Sequence, residues 1–336
     1  MPVPQAAYVE SWEEKNGRGS ERKAALDDEW TVERIPDLRG RTAIVSGGNS
    51  GIGLATATIL AQRGATTLLA CRDLSRADRA AEAIRRSGPH GTVGVLRLDL
   101  ADLASVRKAA ASFRGEHDRL DLLINSAGVM LVPYGTTRDG FERHFGINHL
   151  GHFAWTGLLF DVLRATEGSR VVSVSSLGHG RRGLDFENLM FESGGYSRAR
   201  GYARSKLANL LFTLELQRRF DGTGLLAVAA HPGGAPTGLG RRMDERWLWQ
   251  ASRPVLEWLS QRVTDAARPI LRAATDPDAK GGAFYGPGGR LGFRGPPRVV
   301  QPHRCALDAA AAGRLWDVSE TLTGVRFPDD ERGNEG

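Results

Sequence analysis

The run Thr42-Ala-Ile-Val-Ser-Gly-Gly-Asn-Ser-Gly-Ile-Gly53 decides the fold of this chain. It opens with a buried-strand signal over Thr42–Ser46, and after the glycines a helical pattern extends from Leu54 to Gln62. Glycines let the backbone approach a pyrophosphate, which binds the unpaired N–H groups at a helix start. The spacing through Gly47, Gly51 and Gly53 is GxxxGxG, which differs from the GxGxxG fingerprint. We therefore predict a phosphate-binding turn, with a merely tight turn as the alternative.

Strand and helix patterns alternate along the rest of the chain. Further strands are predicted at Thr66–Cys71, Val93–Leu98, Leu120–Ile124, Arg170–Val174, Leu225–Ala230 and Gly281–Tyr285. Helical periodicity marks Leu103–Phe113, Asp139–Leu163, a helix through Tyr202 to Phe220, and Ala306–Val318. This alternation predicts a single-domain α/β fold, a Rossmann-like doubly wound parallel sheet of about seven strands with helices on both faces. Residues 286–302, rich in Gly, Pro and Arg, are expected to form a surface loop.

Polar or glycine-rich residues follow the predicted strands at their carboxyl ends. They are the glycine loop, Arg72, Asp99, Asn125, Ser176 and His231-Pro232. In a doubly wound sheet, ligands bind outside the carboxyl ends of the strands. The sequence therefore predicts one ligand site at this edge of the sheet.

Tyr202 and Lys206 are separated by four residues, so a helix would place them on one face. A phenol ionises near pH ~10, and an ammonium close to it can lower that pKa toward neutrality. The pair can thus make a proton-transfer group. Taken alone, the pair is more typical of a solvated helix face than of a site, and the strand-end residues favour the functional interpretation.

The end of the second strand bears on the choice of nicotinamide cofactor. An acidic residue there would bind the ribose hydroxyl of NAD, but this chain has the neutral Cys71 followed by Arg72. A guanidinium can pair with a 2′-phosphate, which favours NADP(H) over NAD(H). The adjacent Asp73 opposes this preference, and a solvent-facing Arg72 is the alternative.

Several motifs stand in a fixed order. They are Ser46–Gly53 (pattern TGxxxGxG), Asn125–Gly128 (NNAG), Asn148, Ser176, Tyr202–Lys206 (YxxxK) and Pro232-Gly233. With these motifs, residues 40–290 resemble the short-chain dehydrogenase/reductase family. The runs Cys71–Asp73, Gly146–His152 and Ser205–Phe212 are similar to its retinol-dehydrogenase-like branch. Three positions depart from the pattern: Ser46 replaces Thr, Gly48 replaces Ala, and Ser126 replaces the second Asn.

The resemblance implies a set of catalytic roles. Tyr202 would be the general acid/base at the substrate oxygen, and Lys206 would lower its pKa and bind the nicotinamide ribose. Ser176, with Ser175 as the alternative, would hydrogen-bond the substrate oxygen. Asn148 would hold a water that relays protons through Lys206.

The same resemblance implies where an NADP(H) molecule would bind. Thr237 stands at the position where members of the family bind the nicotinamide amide. The predicted cofactor contacts are Gly47, Asn49, Ser50, Gly51, Ile52, Gly53, Arg72, Asp99, Leu100, Asn125, Ala127, Gly128, Tyr202, Lys206, Pro232, Gly233 and Thr237.

Two stretches are candidates for the substrate side of the site. Residues 234–265 carry an apolar run around Trp247 and Trp258, which fits a substrate lid and a core-packing excursion equally well. The interval between Ser176 and Tyr202 is longer than is usual in the family. Its extra part is expected to form part of the substrate wall through Phe186, Leu189, Met190 and Phe191, within Arg181–Arg200.

Composition excludes several other classes of protein. The net charge is +6, but the basic residues are scattered without an aromatic-interleaved stripe, which argues against nucleic acid. The two cysteines make no disulfide framework, and no metal-ligand spacing occurs among the eight histidines. No apolar stretch is long enough to span a membrane, so a cytoplasmic protein is expected.

These observations define the predicted organisation and function. Residues 1–38 are expected to be a polar extension and arm, 39–325 the catalytic domain, and 326–336 a polar tail. The predicted activity is an NADP(H)-dependent oxidoreductase acting on a small apolar alcohol, aldehyde or ketone, with a homo-oligomer left open. Two alternatives are a cofactor-sensing binding protein without turnover and an epimerase or dehydratase, although the latter usually carry TGxxGxxG.

Overall fold

The computed structural model describes residues 30–180, 182–234, 262–289 and 291–328. Residues 1–29 of the predicted extension and arm, most of the predicted lid with Thr237, and residues 329–336 of the predicted tail lie outside these residues. Within the described part of the chain, no helix is both long and apolar enough to cross a membrane.

One sheet of eight strands forms the centre of the described structure. The strands are β1 (Thr42–Ser46), β2 (Thr66–Cys71), β3 (Val93–Arg97), β4 (Leu122–Asn125), β5 (Arg170–Val174), β6 (Leu226–Ala230), β7 (Phe284–Pro287) and β8 (Pro297–Val299). Their spatial order is β3-β2-β1-β4-β5-β6-β7-β8, and the first seven strands run parallel. The order reverses between β1 and β4, which is where doubly wound sheets bind their ligands. The predicted fold class is confirmed.

Helices cover both faces of the sheet. They are α1 (Gly51–Gln62), α2 (Leu74–Arg86), α3 (Leu103–Glu116), α4 (Gly151–Leu158), α5 (Phe160–Ala165), α6 (Arg198–Arg219), α7 (Val263–Thr275) and α8 (Ala309–Thr323). Successive residues of a strand point to opposite faces. Ala43 and Val45 of β1 therefore join the core under α1, α2 and α7, whereas Ile44 joins the core under α3, α4 and α6. Phe327 packs into this second core.

The edge of the sheet beyond β7 differs from the prediction. Residues 286–302 were expected to be a loop, but β8 lies within them and pairs antiparallel with β7. Helix α7 was not predicted, and Pro269 lies inside it. Proline removes one backbone donor from a helix interior, so its presence weakens a helical pattern in the sequence.

The helix predicted over Asp139–Leu163 is interrupted. Its first turn covers Arg143–Phe145, because the Glu142 carboxylate accepts hydrogen bonds from the N–H groups of His144 and Phe145 and caps the helix there. A π-helical segment, Gly146–Leu150, then leads into α4. Such segments are rare, and they occur frequently at functional sites.

Asp121 joins the amino ends of β1 and β4. Its buried carboxylate accepts a hydrogen bond from the N–H of Thr42 at 2.8 Å and bonds from Arg41 and Arg119 at 2.6 and 2.7 Å. Burial raises the pKa of the carboxyl, but the hydrogen bonds outweigh it and hold the pKa below its ordinary value. The ionised form therefore stabilises the fold above the unfolded-state pKa, and that contribution is lost as the pH falls through the folded-state pKa.

We expect Asp121→Asn to lower the free energy of unfolding at pH 7 by about 2 kcal/mol, because charge-assisted hydrogen bonds are lost. Urea denaturation at pH 7, 5, 4 and 3 measures this. The difference from the wild type should shrink below pH ~4, where Asp121 becomes protonated in the unfolded state. Asp118→Asn, which changes an exposed carboxylate three residues away, is the control. A difference that stays constant between pH 7 and pH 3 would contradict this account.

Candidate active site

Tyr202, Lys206 and Ser176 meet at the carboxyl end of β5. Ser176 follows this strand, and its side chain lies close enough to Tyr202 on α6 to lower the pKa of the phenol. A Cβ built on Gly178 would lie 3.5 Å from Oγ of Ser176 and 3.8 Å from Cε1 of Tyr202, so the two side chains flank the same point. One turn further along α6, the Lys206 ammonium lies 5.8 Å from the centre of the Tyr202 ring. Ser175 points elsewhere, because its hydroxyl donates to the backbone carbonyl of Lys206 at 2.8 Å. Ser176 is thus the serine that faces the phenol.

The Lys206 side chain is buried, with 5% of its surface exposed. Its ammonium donates a hydrogen bond to the carbonyl of Val174 at 2.9 Å, the one acceptor it has among the described residues. Burial lowers the pKa of the ammonium to about 8. An ammonium has three donors, so two remain for a ligand.

The expected lowering of the Tyr202 pKa by Lys206 is not found. Burial raises the pKa of the phenol above its ordinary value, and the nearby Ser176 side chain offsets only part of this. The ammonium is directed at Val174, and its distance from the ring leaves the desolvation of the phenol dominant. Helical spacing in the sequence does not show how deeply the phenol is buried.

Asn148 lies in the π-helical segment and is fully buried. Its side-chain oxygen accepts from the N–H of Val129 at 2.8 Å, and its amide nitrogen donates to the carbonyl of Val129 and the hydroxyl of Ser205, both at 2.9 Å. The side chain therefore holds the backbone that follows β4. The water relay implied by the family resemblance stays a prediction.

The glycine loop forms a cradle at the start of α1. Gly47 and Gly51 have φ angles of +70° and +55°, which side chains rarely adopt. A Cβ on Gly53 would lie 2.6 Å from the carbonyl oxygen of Gly47, so only glycine fits between helix and turn. The side chain of Ser50 makes no capping hydrogen bond, which leaves the first N–H groups of α1 for a ligand. This cradle suits a pyrophosphate.

Ser46 and His152 connect this loop to the segment after β4. The Ser46 hydroxyl accepts hydrogen bonds from the N–H groups of Ser126 and Ala127 at 2.9 and 3.0 Å, and it lies 2.9 Å from Nε2 of His152. Nδ1 of His152 lies 2.9 Å from the carbonyl oxygen of Asn148, so Nδ1 carries the proton and Nε2 accepts from Ser46. Burial lowers the pKa of His152 to about 4, so the ring is neutral.

His152 was not identified as a site residue from the sequence. It lies within Gly146–His152, a run that marks the family branch, and stands four residues after Asn148. That spacing places both residues on one helix face and was the available signal.

The end of β2 carries the residues expected to select the cofactor. Cys71 is buried, and burial raises the pKa of its thiol to about 11, so it is neutral. Arg72 is exposed to solvent. The carboxylate of Asp73 accepts a hydrogen bond from the N–H of Arg76 at 3.0 Å and caps α2.

The remaining predicted cofactor contacts lie along the same edge. Asp99 accepts from the N–H of Ala101, and Leu100 is buried against Gly151. The Asn125 side chain is buried; its amide nitrogen donates to the hydroxyl of Thr156, and its amide oxygen has no hydrogen-bond partner among the described residues. The other predicted cofactor contacts also belong to the glycine loop or to strand ends. They are Asn49, Ile52, Gly128, Pro232 and Gly233.

The long interval between Ser176 and Tyr202 packs mainly into the protein. Leu189 is buried in a core with Leu207 of α6, and Phe191 lies under the guanidinium of Arg204 at 3.7 Å. These contacts put Leu189 and Phe191 in the interior, not on a substrate wall. Among the described residues, no group of three His, Cys, Asp or Glu side chains could hold a metal ion.

Comparison with known proteins agrees with this geometry. A family described as short chain dehydrogenase matches residues 41–246. The chain is 41% identical over 297 residues to retinol dehydrogenase 13 of Homo sapiens, covering 87% of each chain. It is 47% identical over 293 residues to retinol dehydrogenase 13 of Mus musculus, covering 86% of this chain and 85% of that protein. An uncharacterized protein of known structure from Mycobacterium paratuberculosis is 40% identical, has a TM-score of 0.74, and is covered over 100% of its length by 90% of this chain.

We expect Ser46→Ala to lower the free energy of unfolding by about 2 kcal/mol, because it leaves the N–H of Ala127 without an acceptor and the N–H of Ser126 with only the carbonyl of Ile124. The dissociation constant for NADPH should rise about tenfold, since the displaced segment lines the predicted cofactor site. Chemical denaturation and fluorescence titration with NADPH measure the two effects. Ser46→Thr keeps the hydroxyl and is the matched control. Unchanged stability and NADPH binding in Ser46→Ala would show that this network does not shape the site.

Proposed function

This chain belongs to the short-chain dehydrogenase family, in its retinol-dehydrogenase-like branch, and we propose that it transfers hydride between NADP(H) and an apolar alcohol, aldehyde or ketone. It is an NAD(P)-dependent oxidoreductase. The observation that carries the proposal is the position of the Ser176 side chain close to the Tyr202 ring, beside the buried Lys206 ammonium.

The three side chains have complementary roles in this proposal. Ser176 would hold the substrate oxygen next to the phenol of Tyr202, which gives a proton to that oxygen in reduction and takes one in oxidation. The raised pKa of Tyr202 keeps the phenol protonated at neutral pH, which suits carbonyl reduction. Lys206, with two donors left over, would bind the nicotinamide ribose. When bound, the nicotinamide ring supplies or accepts the hydride.

The preference for NADP(H) rests on the charges at the end of β2. A neutral Cys71 brings no negative charge to the adenosine ribose, and Asp73 is engaged in capping α2. Arg72 is exposed there, and Arg76 lies close enough to Cys71 to lower the pKa of its thiol slightly. A 2′-phosphate would thus meet two guanidinium groups.

The preference for an apolar substrate rests on the relatives and on the surface beside the phenol. Two relatives are named retinol dehydrogenases, and retinol is an apolar alcohol. Leu177, directly after Ser176, is 40% exposed. An exposed leucine next to a buried polar site fits an apolar ligand better than a sugar.

A panel of carbonyl compounds with NADPH and NADH side by side tests the proposal. We expect NADPH to be oxidised with long-chain or polyene aldehydes at a kcat/KM at least about tenfold above that for sugars, because an apolar surface gains little from hydroxyl groups. Absence of turnover with every carbonyl despite NADPH binding would instead favour a cofactor-sensing binding protein.

The Arg72→Ala variant tests the preference for NADP(H) in the same experiment. It should raise KM for NADPH about tenfold and leave KM for NADH unchanged, since only NADPH carries the 2′-phosphate. Arg86→Ala removes the same charge at the far end of α2 and is the control. Equal or better use of NADH by the wild type would refute the preference.

A further inference from the structure

Three side chains beside Tyr202 have no part in the mechanism above. Glu142 and His144 are fully buried, with 3.0 Å between the Glu142 carboxylate and Nδ1 of His144. Tyr196 lies next to them, with its hydroxyl 3.3 Å from the same nitrogen of His144. We call Glu142, His144 and Tyr196 the Val132 clamp, for the contacts described next.

The Val132 clamp holds both backbone polar groups of one residue. Because Nδ1 of His144 donates to the Glu142 carboxylate, Nε2 is an acceptor, and the N–H of Val132 donates to it at 3.3 Å. The Tyr196 hydroxyl donates to the carbonyl of Val132 at 2.6 Å. Burial and the charge of Glu142 raise the pKa of Tyr196 to about 12, so its hydroxyl remains a donor.

Val132 is one end of a short loop, and the other end is held too. Asn148 binds the N–H and the carbonyl of Val129, so the backbone is fixed at two residues three positions apart. Between them, Leu131 has a φ of +53°, which is disfavoured for a leucine. A disfavoured conformation persists only where its surroundings hold it, and the two anchors do so here.

The held loop runs beside the reacting groups. The ring of His144 packs edge-on against Tyr202, with 6.2 Å between ring centres. A Cβ on Gly128, at the start of the loop, would lie 3.7 Å from the Lys206 ammonium. Met130 and Leu131, between the anchors, are only partly buried and are both apolar. They therefore offer an apolar surface on the loop that begins at Gly128 beside Lys206.

Tyr196 comes from the long interval between Ser176 and Tyr202. Its ring packs edge-on against Phe191 and Tyr134, each with 5.2 Å between ring centres. A Cβ on Gly201, the residue before Tyr202, would lie 2.9 Å from both Nδ1 of His144 and Cε2 of Tyr196. Glycine at 201 thus leaves room for the clamp against α6.

We propose that Glu142, His144 and Tyr196 are positioning residues that hold Met130 and Leu131 against the carbon chain of the substrate and thereby set the preference for long apolar substrates. This inference rests on the proposed function, because it assumes an alcohol or carbonyl compound at Tyr202. The long interval before Tyr202 then contributes to specificity through the Tyr196 hydroxyl and not through a wall of its own.

Tyr196→Phe tests the clamp, because it keeps the ring and removes only the hydrogen bond to Val132. Tyr134→Phe makes the same chemical change on a neighbouring ring, which is 49% exposed, and is the matched control. Hydrogen–deuterium exchange of the peptide covering 128–134 should accelerate in Tyr196→Phe and not in Tyr134→Phe.

The kinetic arm compares a long-chain aldehyde with a three-carbon aldehyde. In Tyr196→Phe, kcat/KM for the long aldehyde should fall about tenfold through KM, the size of one lost hydrogen bond. The kcat for the short aldehyde and the NADPH dissociation constant should not change. A purely structural role would lower kcat/KM for both aldehydes equally.

Each failure has its own signature. Unchanged exchange in Tyr196→Phe, or the same effects in Tyr134→Phe, would overturn the clamp. Faster hydrogen–deuterium exchange in Tyr196→Phe with an equal loss of kcat/KM for both aldehydes would overturn the role of the clamp in specificity. If the wild type bound NADPH and reduced neither aldehyde, the proposed function would fail, and with it the specificity role, while the exchange result would still decide the clamp.

Discussion

The buried ammonium of Lys206 is the constraint on which the site depends. A cation out of water must be bound by fixed dipoles. Here the carbonyl of Val174, at the end of β5, accepts a hydrogen bond from the ammonium and a second hydrogen bond, at 3.2 Å, from the amide of Asn209. The Ser175 hydroxyl binds the backbone of the same lysine. These three contacts fix α6 on the end of β5, and Tyr202, one turn earlier, consequently lies beside the serine that follows Ser175.

The opposite side of the site is built by backbone clamps. Asn148 holds Val129, and the Glu142–His144–Tyr196 cluster holds Val132, so polar side chains bind the loop after β4 where no strand partner exists. Buried backbone groups need such partners, and a site fixed by them is rigid before the ligand arrives. The π-helical turn that carries Asn148 is part of this arrangement, because it directs that side chain at the loop.

The sequence predicted the parallel sheet well because buried parallel strands are apolar runs bounded by turn residues, and the bounds of β1, β2 and β5 were predicted without error. Ser176 was predictable because it follows a predicted strand, and Tyr202 because its spacing to Lys206 places both residues on one helix face. The π-helical segment and the Val132 clamp were not predictable, since Asn148, His144 and Tyr196 bind backbone groups that are distant from them in the chain. Helix α7 was missed because Pro269 interrupts its pattern. The direction of the Tyr202 pKa shift depends on burial, which spacing does not reveal.

The central claim is that the phenol of Tyr202 transfers the proton that accompanies hydride transfer. The most direct measurement compares NADPH oxidation and NADPH binding in the wild type and in Tyr202→Phe, with the best aldehyde as substrate. The substitution keeps the packing of the ring against His144 and removes the phenol oxygen that carries the proton in this account. We expect turnover to fall by roughly 10²- to 10⁴-fold, the usual contribution of a general acid, with the NADPH dissociation constant unchanged. Retention of most of the activity in Tyr202→Phe would contradict the claim.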